Sequence, residues 1–107
     1  MKEEIFGPVV TITKFKSEEE VIKLANDTTY GLAGAVHTTD YQRAVRMTNA
    51  LKAGTTWVNM YNLVHWSIPF GGYKQSGLGR ECGEAVLENY TETKAVYMNM
   101  GMPAPNL

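Results

Sequence analysis

A single cysteine, Cys82, leaves no partner for an internal disulfide and favours a reducing, cytoplasmic setting, with any targeting segment expected ahead of Met1. Charge of one sign is also missing: 10 Lys and Arg stand against 11 Asp and Glu, a formal net charge of -1. A phosphate-backbone binder needs a basic excess to displace counterions, so no nucleic acid partner is expected. No apolar run approaches the ~20 residues that span a bilayer, and Met1-Lys2-Glu3-Glu4 does not open a signal peptide, so no membrane role is expected. Histidine is scarce, and His37, His65 and Cys82 show no ligand spacing, so no metal site is expected. What is present is 44% hydrophobic residues and ten glycines in 107 residues, enough for one modest core and not for two domains.

The pattern along the chain predicts an α/β fold. Val9-Val10-Thr11-Ile12-Thr13-Lys14-Phe15, after Gly7-Pro8, is β-branched and aromatic and reads as a first strand. Ser17 followed by Glu20 fits a capping box, with Val21, Ile22, Leu24 and Ala25 as the apolar stripe of a helix to about Asn26. Leu32 to Val36 is a nearly continuous apolar run of the kind buried on both faces of a parallel sheet. Thr39 and Gln42 repeat the capping-box spacing. The second helix is therefore expected over about Asp40 to Lys52, with Tyr41, Ala44, Val45, Thr48 and Leu51 on one face before Gly54. Thr55 to Met60 is β-prone again. The order predicts a three-stranded parallel β-α-β-α-β unit. A long Gly-rich loop follows to Gly79, then a short helix from Glu81 to Tyr90 with Ala85, Val86 and Tyr90 inward, and a C-terminal edge strand over residues 92–100. Pro103, Pro105 and Asn106 suggest a loose tail.

Chemistry is hard to place by motif alone. In the Gly-rich stretch, Gly77 is followed by Leu78 rather than Lys-Ser/Thr, and Cys82 stands where a dinucleotide fingerprint needs its third glycine. The glycines read as turns that need positive φ. Glu81 and Glu84 surround Cys82 with negative charge that opposes a thiolate, so the residue reads as packing. Ser67 and Ser76 lie outside any Gly-x-Ser-x-Gly elbow. His37 reads as a surface residue and His65 as a packing one. Trp57, Trp66, Phe70 and Tyr73 read either as core or as the lining of an apolar pocket.

Three stretches nevertheless resemble the C-terminal part of the NAD(P)-dependent aldehyde dehydrogenases. Glu3-Glu4-Ile5-Phe6-Gly7-Pro8-Val9 is similar to that family's Glu-Glu-x-Phe-Gly-Pro motif, and Gly54-Thr55-Thr56-Trp57-Val58-Asn59 to its Gly-x-x-x-x-Asn strand. Pro69-Phe70-Gly71-Gly72-Tyr73-Lys74-Gln75-Ser76-Gly77-Leu78-Gly79-Arg80-Glu81 is similar to its Pro-Phe-Gly-Gly-x-Lys-x-Ser-Gly signature. The resemblance is collinear from Lys2 to about Met100.

It implies that Glu4 hydrogen-bonds the nicotinamide ribose and that Phe6 packs beside the nicotinamide of NAD or NADP. It implies that Asn62, Val64 and Phe70 line the aldehyde tunnel and that Glu81 relays protons. It also implies a division into residues 1–90 as part of the catalytic domain, Thr91 to Met100 as an oligomerisation strand joining like subunits edge to edge, and 101–107 as a tail.

The family's nucleophilic Cys, its Glu base and its dinucleotide domain correspond to nothing in these residues, and Cys82 does not match the nucleophile. The expectation is therefore a segment whose partner is the missing N-terminal part of the enzyme, inactive alone and binding no cofactor tightly. Trp57, Trp66 and Phe70 would be exposed on it. The intact enzyme would oxidise a small-molecule aldehyde to a carboxylate. The alternative is a non-enzymatic interaction module that pairs through its edge strand with itself or a full-length relative.

Overall fold

The computed structural model describes residues 3–103; Pro105 and Asn106 of the expected tail lie outside them. The first helix, α1, spans Glu18–Asn26. Ser17 Oγ accepts from the Glu20 N–H at 3.1 Å, while the Glu20 carboxylate reaches back to the Lys16 N–H at 2.7 Å. The first bond is the one the capping box predicts; the second goes to the residue before the cap and not to the Ser17 N–H. The second helix, α2, spans Tyr41–Ala50. Its cap is Asp40 and not Thr39: the Asp40 carboxylate accepts from the Arg43 N–H at 3.1 Å. Ala44 and Met47 are buried, whereas Tyr41 and Val45, expected inward, are exposed.

The strands are β1 Tyr30–Gly31, β2 Ala33–Val36, β3 Thr55–Val58 and β4 Tyr73–Lys74. β2 pairs with β3 in parallel, Ala33 opposite Thr55 through Val36 opposite Val58, with α2 as the connection. β1 pairs antiparallel with β4, Tyr30 opposite Lys74 and Gly31 opposite Tyr73. The expected three-stranded parallel unit is thus corrected to two separate two-stranded pairings. Residues 9–15, expected as the first strand, belong to neither sheet. Residues 92–100, expected as an edge strand, form no strand and are exposed. A β-branched sequence favours an extended chain, but a strand exists only when a neighbour supplies the ladder. Lacking a third strand, β2 is not buried on both faces, and Ala33 and Ala35 are exposed.

The short last helix is a 3₁₀ turn, Glu84–Asn89, without a side-chain cap, and Tyr90 is exposed instead of inward. Cys82 at φ 61° and Gly83 at φ 60° precede it, and two left-handed residues in succession prevent an α-helix from starting at Glu81.

The buried core is small: Ala44, Met47 and Trp57, where α2 lies on β2 and β3. Trp57 is 7% exposed, which corrects the expectation that it faces outward; its Nε1 donates to the Leu63 carbonyl at 2.9 Å. Polar staples do much of the remaining joining. Glu18 accepts from Arg43 at 2.7 Å and from Arg46 at 3.0 Å, tying α1 to α2. The two guanidiniums, Arg46 foremost, hold the Glu18 carboxyl down at about 2. Asn26 donates to the Ala50 carbonyl and accepts from the Lys52 N–H, and Asn59 makes the same two-way bond with the backbone of Thr38. The accessible surface is 9826 Å², where a compact chain of 11.9 kDa would show about 6,000 Å². Among the described residues, no helix is long and apolar enough to cross a membrane.

Candidate functional site

Beyond β3 the backbone turns sharply. Asn59 and Asn62 sit at φ 54° and 57°, a region asparagine tolerates better than most residues. The segment from 59 to 65 is tethered by the Trp57 bond to Leu63 and by an edge-to-face contact between Trp57 and Tyr61, with centroids 5.8 Å apart. It carries Asn62 and Val64, both exposed. Next, His65 Nδ1 lies 2.7 Å from Ser67 Oγ, and its ring leans on Trp66, which is 79% exposed. His65 is therefore a surface residue, against the expectation of packing. His37 is exposed, as expected.

Phe70 and Glu81 form an antiparallel bridge, with Phe70 N–H to Glu81 O at 2.7 Å and Glu81 N–H to Phe70 O at 2.8 Å. Eleven positions apart in sequence, they become the two feet of one closed loop. Within it, Gly77 at φ 126° and Gly79 at φ 70° supply the left-handed turns expected of glycine. Gly71 and Gly72 serve closeness instead: a Cβ on Gly71 would meet the Arg80 side chain and Gly79 O, each at 2.8 Å, and one on Gly72 would strike Ser76. Arg80 donates to the carbonyls of Gly72 at 3.0 Å and Gly79 at 2.6 Å, and its guanidinium carbon lies 5.5 Å from the Tyr73 ring centroid. A cavity of about 300 Å³ opens beside the loop, lined by Phe70, Leu78, Arg80 and Glu81 with Leu32 and Tyr90.

Glu4 and Phe6 lie on the segment that leads toward α1. Phe6 is 91% exposed and sits at φ 53°, an uncommon conformation for an aromatic residue. No hydrogen bond among the described residues ties Glu4 or Phe6 to the glycine loop. The structure therefore brings together Phe70 and Glu81, places Asn62 and Val64 on the adjoining segment, and leaves Glu4 and Phe6 on a separate arm. Cys82 is half buried next to Glu81, its backbone left-handed.

Sequence reasoning missed Lys74 and Ser76. Lys74 Nζ donates to the carbonyls of Asn26 and Thr28, both at 3.0 Å, and Ser76 Oγ accepts from the Gly31 N–H at 2.9 Å. Their partners lie more than forty residues away in sequence, and no local pattern announces such contacts.

Residues 1–96 match the model of the aldehyde dehydrogenase family. An aldehyde dehydrogenase of Alternaria alternata is 61% identical over 100 residues, covering 94% of this chain and 20% of that protein. The solved NAD+ complex of an aldehyde dehydrogenase from Bacillus cereus superposes with a TM-score of 0.89 at 56% identity, over 92% of this chain and 20% of the other. A betaine aldehyde dehydrogenase from Staphylococcus aureus gives a TM-score of 0.89 at 48% identity, over 96% of this chain and 21% of the other. The chain spans about a fifth of the length of the relatives it matches.

Proposed function

The chain belongs to the aldehyde dehydrogenase family, and from that premise we propose that it is the C-terminal segment of an enzyme oxidising an aldehyde to a carboxylate with NAD or NADP. The nucleophilic Cys and the base are supplied by residues outside these 107. Residues 1–90 belong to the catalytic domain, and 91–100 pair subunits. The observation that carries the reading is the Phe70–Glu81 bridge, which holds an aromatic wall residue and a carboxylate at one edge of a cavity.

Each residue then has a definite task. Phe70 forms one wall of the aldehyde tunnel, with Asn62 and Val64 toward its mouth. Glu81, anchored at both its N–H and its C=O, moves a proton onward from the base. Glu4 and Phe6 fit a nicotinamide nucleotide: an exposed carboxylate accepts from ribose hydroxyls, and an exposed ring two residues on offers a face to a planar heterocycle. The cofactor's chemistry when bound is to accept a hydride. The excess of roughly 4,000 Å² of accessible surface over a compact chain supports a segment whose apolar faces are covered by the rest of an enzyme.

In the full-length enzyme, followed by NADH absorbance, Phe70→Ala should raise the aldehyde KM and Glu81→Gln should change the pH profile of kcat. Glu4→Gln should raise the cofactor KM. The 107 residues alone should not reduce NAD with an aldehyde; turnover that Cys82→Ala abolishes would overturn the assignment. The exposed, strandless residues 91–100 also favour the interaction-module reading, and co-migration with a full-length relative on gel filtration tests it.

A further inference from the structure

Resting on the roles just assigned to Phe70 and Glu81, we propose that Lys74 and Ser76 are positioning residues that lock the glycine loop onto the turn after α1 and so fix the Phe70–Glu81 pair. Four contacts join three consecutive residues, Lys74 to Ser76, to the stretch from Asn26 to Gly31. Lys74 Nζ donates to Asn26 O and Thr28 O at 3.0 Å each, the Gln75 N–H donates to Thr29 O at 3.0 Å, and Ser76 Oγ accepts from the Gly31 N–H at 2.9 Å. The β1–β4 pairing joins the same stretches, Tyr30 to Lys74 and Gly31 to Tyr73.

The Lys74 ammonium sits where a cation is most useful. Asn26 ends α1, its carbonyl has no partner further along the helix, and the negative end of the helix dipole is there. The lysine backbone is left-handed, φ 55°, which Gly or Asn would adopt at less cost. A lysine at this position is accounted for by its side-chain bonds and not by its backbone. Gly31 is buried and crowded: an added Cβ would lie 2.5 Å from Lys52 O and 3.1 Å from Tyr73 Cβ. Water has little access to its N–H, so Ser76 Oγ is the partner that keeps it satisfied.

The position of this clamp reaches the site through Gly72. Ser76 occupies the space a Cβ on Gly72 would need, and Arg80 grips the Gly72 carbonyl from the other side of the loop. Gly72 is two residues from Phe70, and Arg80 is adjacent to Glu81. The line of contact runs from the end of α1 to Lys74 and Ser76, then to Gly72, then to the bridged pair.

The test uses the full-length enzyme carrying these residues, with Lys74→Met, Lys74→Arg and Ser76→Ala beside Phe70→Ala and Glu81→Gln as references. Activities are corrected by active-site titration. Lys74→Met and Ser76→Ala should reproduce the reference effects at about 10- to 100-fold in kcat/KM for the aldehyde, the scale expected of ångström misplacement, with the cofactor KM unchanged. Lys74→Arg should restore most of the loss. Hydrogen exchange supplies a readout independent of activity: Lys74→Met should speed exchange at the Phe70 and Glu81 amides at least tenfold while leaving β3 as it was. Unchanged or uniformly faster exchange overturns the clamp, as does a lowered Tm with kinetics per active site intact. If the Phe70 and Glu81 references themselves are kinetically silent, the proposed function fails, and exchange alone then decides the clamp.

Discussion

Replacing Gly54 by Ala puts one methyl group against the stem of the glycine loop. The added Cβ would collide with the Gly71 carbonyl oxygen and lie 2.8 Å from the Gly71 carbonyl carbon and 3.2 Å from Gly72 Cα. Every one of these is a backbone atom, so no rotamer change relieves the clash; either β3 or the loop must move by more than an ångström. The loop is the weaker party, because Gly54 is held by its N–H bond to Gly31 O at 3.0 Å and leads into the buried Trp57. Overpacking of this kind costs about 1–3 kcal/mol. The substitution also stiffens the unfolded chain, which offsets about 0.4–1 kcal/mol, so the net destabilisation expected is about 1–2 kcal/mol. Displacing Gly71 shifts Phe70 directly, and a misplacement near 1 Å is worth about 100-fold in rate. The assay is a thermal melt with kcat/KM for the aldehyde in the full-length enzyme. Gly34→Ala is the matched control, since its added Cβ would meet only the end of the flexible Leu51 side chain, at 3.3 Å, and it should cost far less. A Gly54→Ala enzyme with unaltered Tm and kcat/KM would refute the argument that this contact holds the loop.

Three further outcomes are expected. The carboxyl of Glu18, held at about 2 against an ordinary 4.5 by Arg46 and Arg43, contributes stability that is complete above pH 4.5 and lost as pH falls toward 2. Carboxyl NMR titration should find it among the most acidic groups, and Glu18→Gln should flatten the stability profile in that window, with added salt weakening the effect. Asn26→Ala strips both the Ala50 carbonyl and the Lys52 N–H of their partner and should cost about 1–3 kcal/mol by urea denaturation, whereas Ala in place of exposed Gln42 should cost almost nothing. The 107-residue chain by itself should bind an apolar dye through Trp66, Tyr97 and the residues around Ile12. Its scattering radius should lie near 21.1 Å, against about 13 Å for a compact chain of its length. A compact, cooperatively melting monomer without dye binding would contradict that.

How far the sequence could be read depended on the range of each interaction. Ser17 with Glu20 is a three-residue affair, and the helix starts where that spacing says. Asp40 took the cap from Thr39 and accepts from the Arg43 N–H where a Thr39 cap would have reached Gln42; both residue types cap well, and spacing alone does not rank two adjacent candidates. The glycine loop was legible in kind: Gly77 and Gly79 turn left-handed as expected. That Gly71 and Gly72 are there for close approach required knowing what lies beside them. Phe70 and Glu81 were singled out by motif, but that they face each other across a bridge was not.

By itself the sequence determined the family, through three collinear motifs, and the approximate positions of both helices and of β2 and β3, through capping chemistry, an apolar run and a β-prone run. Tertiary structure alone decided which strands pair, because a ladder needs a neighbour and propensity does not name one. It left residues 9–15 and 92–100 without a place in a sheet, buried Trp57 against α2, and carried the ammonium of Lys74 across 48 residues to the carbonyl at the end of α1. A hydrogen bond within one turn is written in adjacent residues; one that closes a long loop exists only once the chain has folded back on itself.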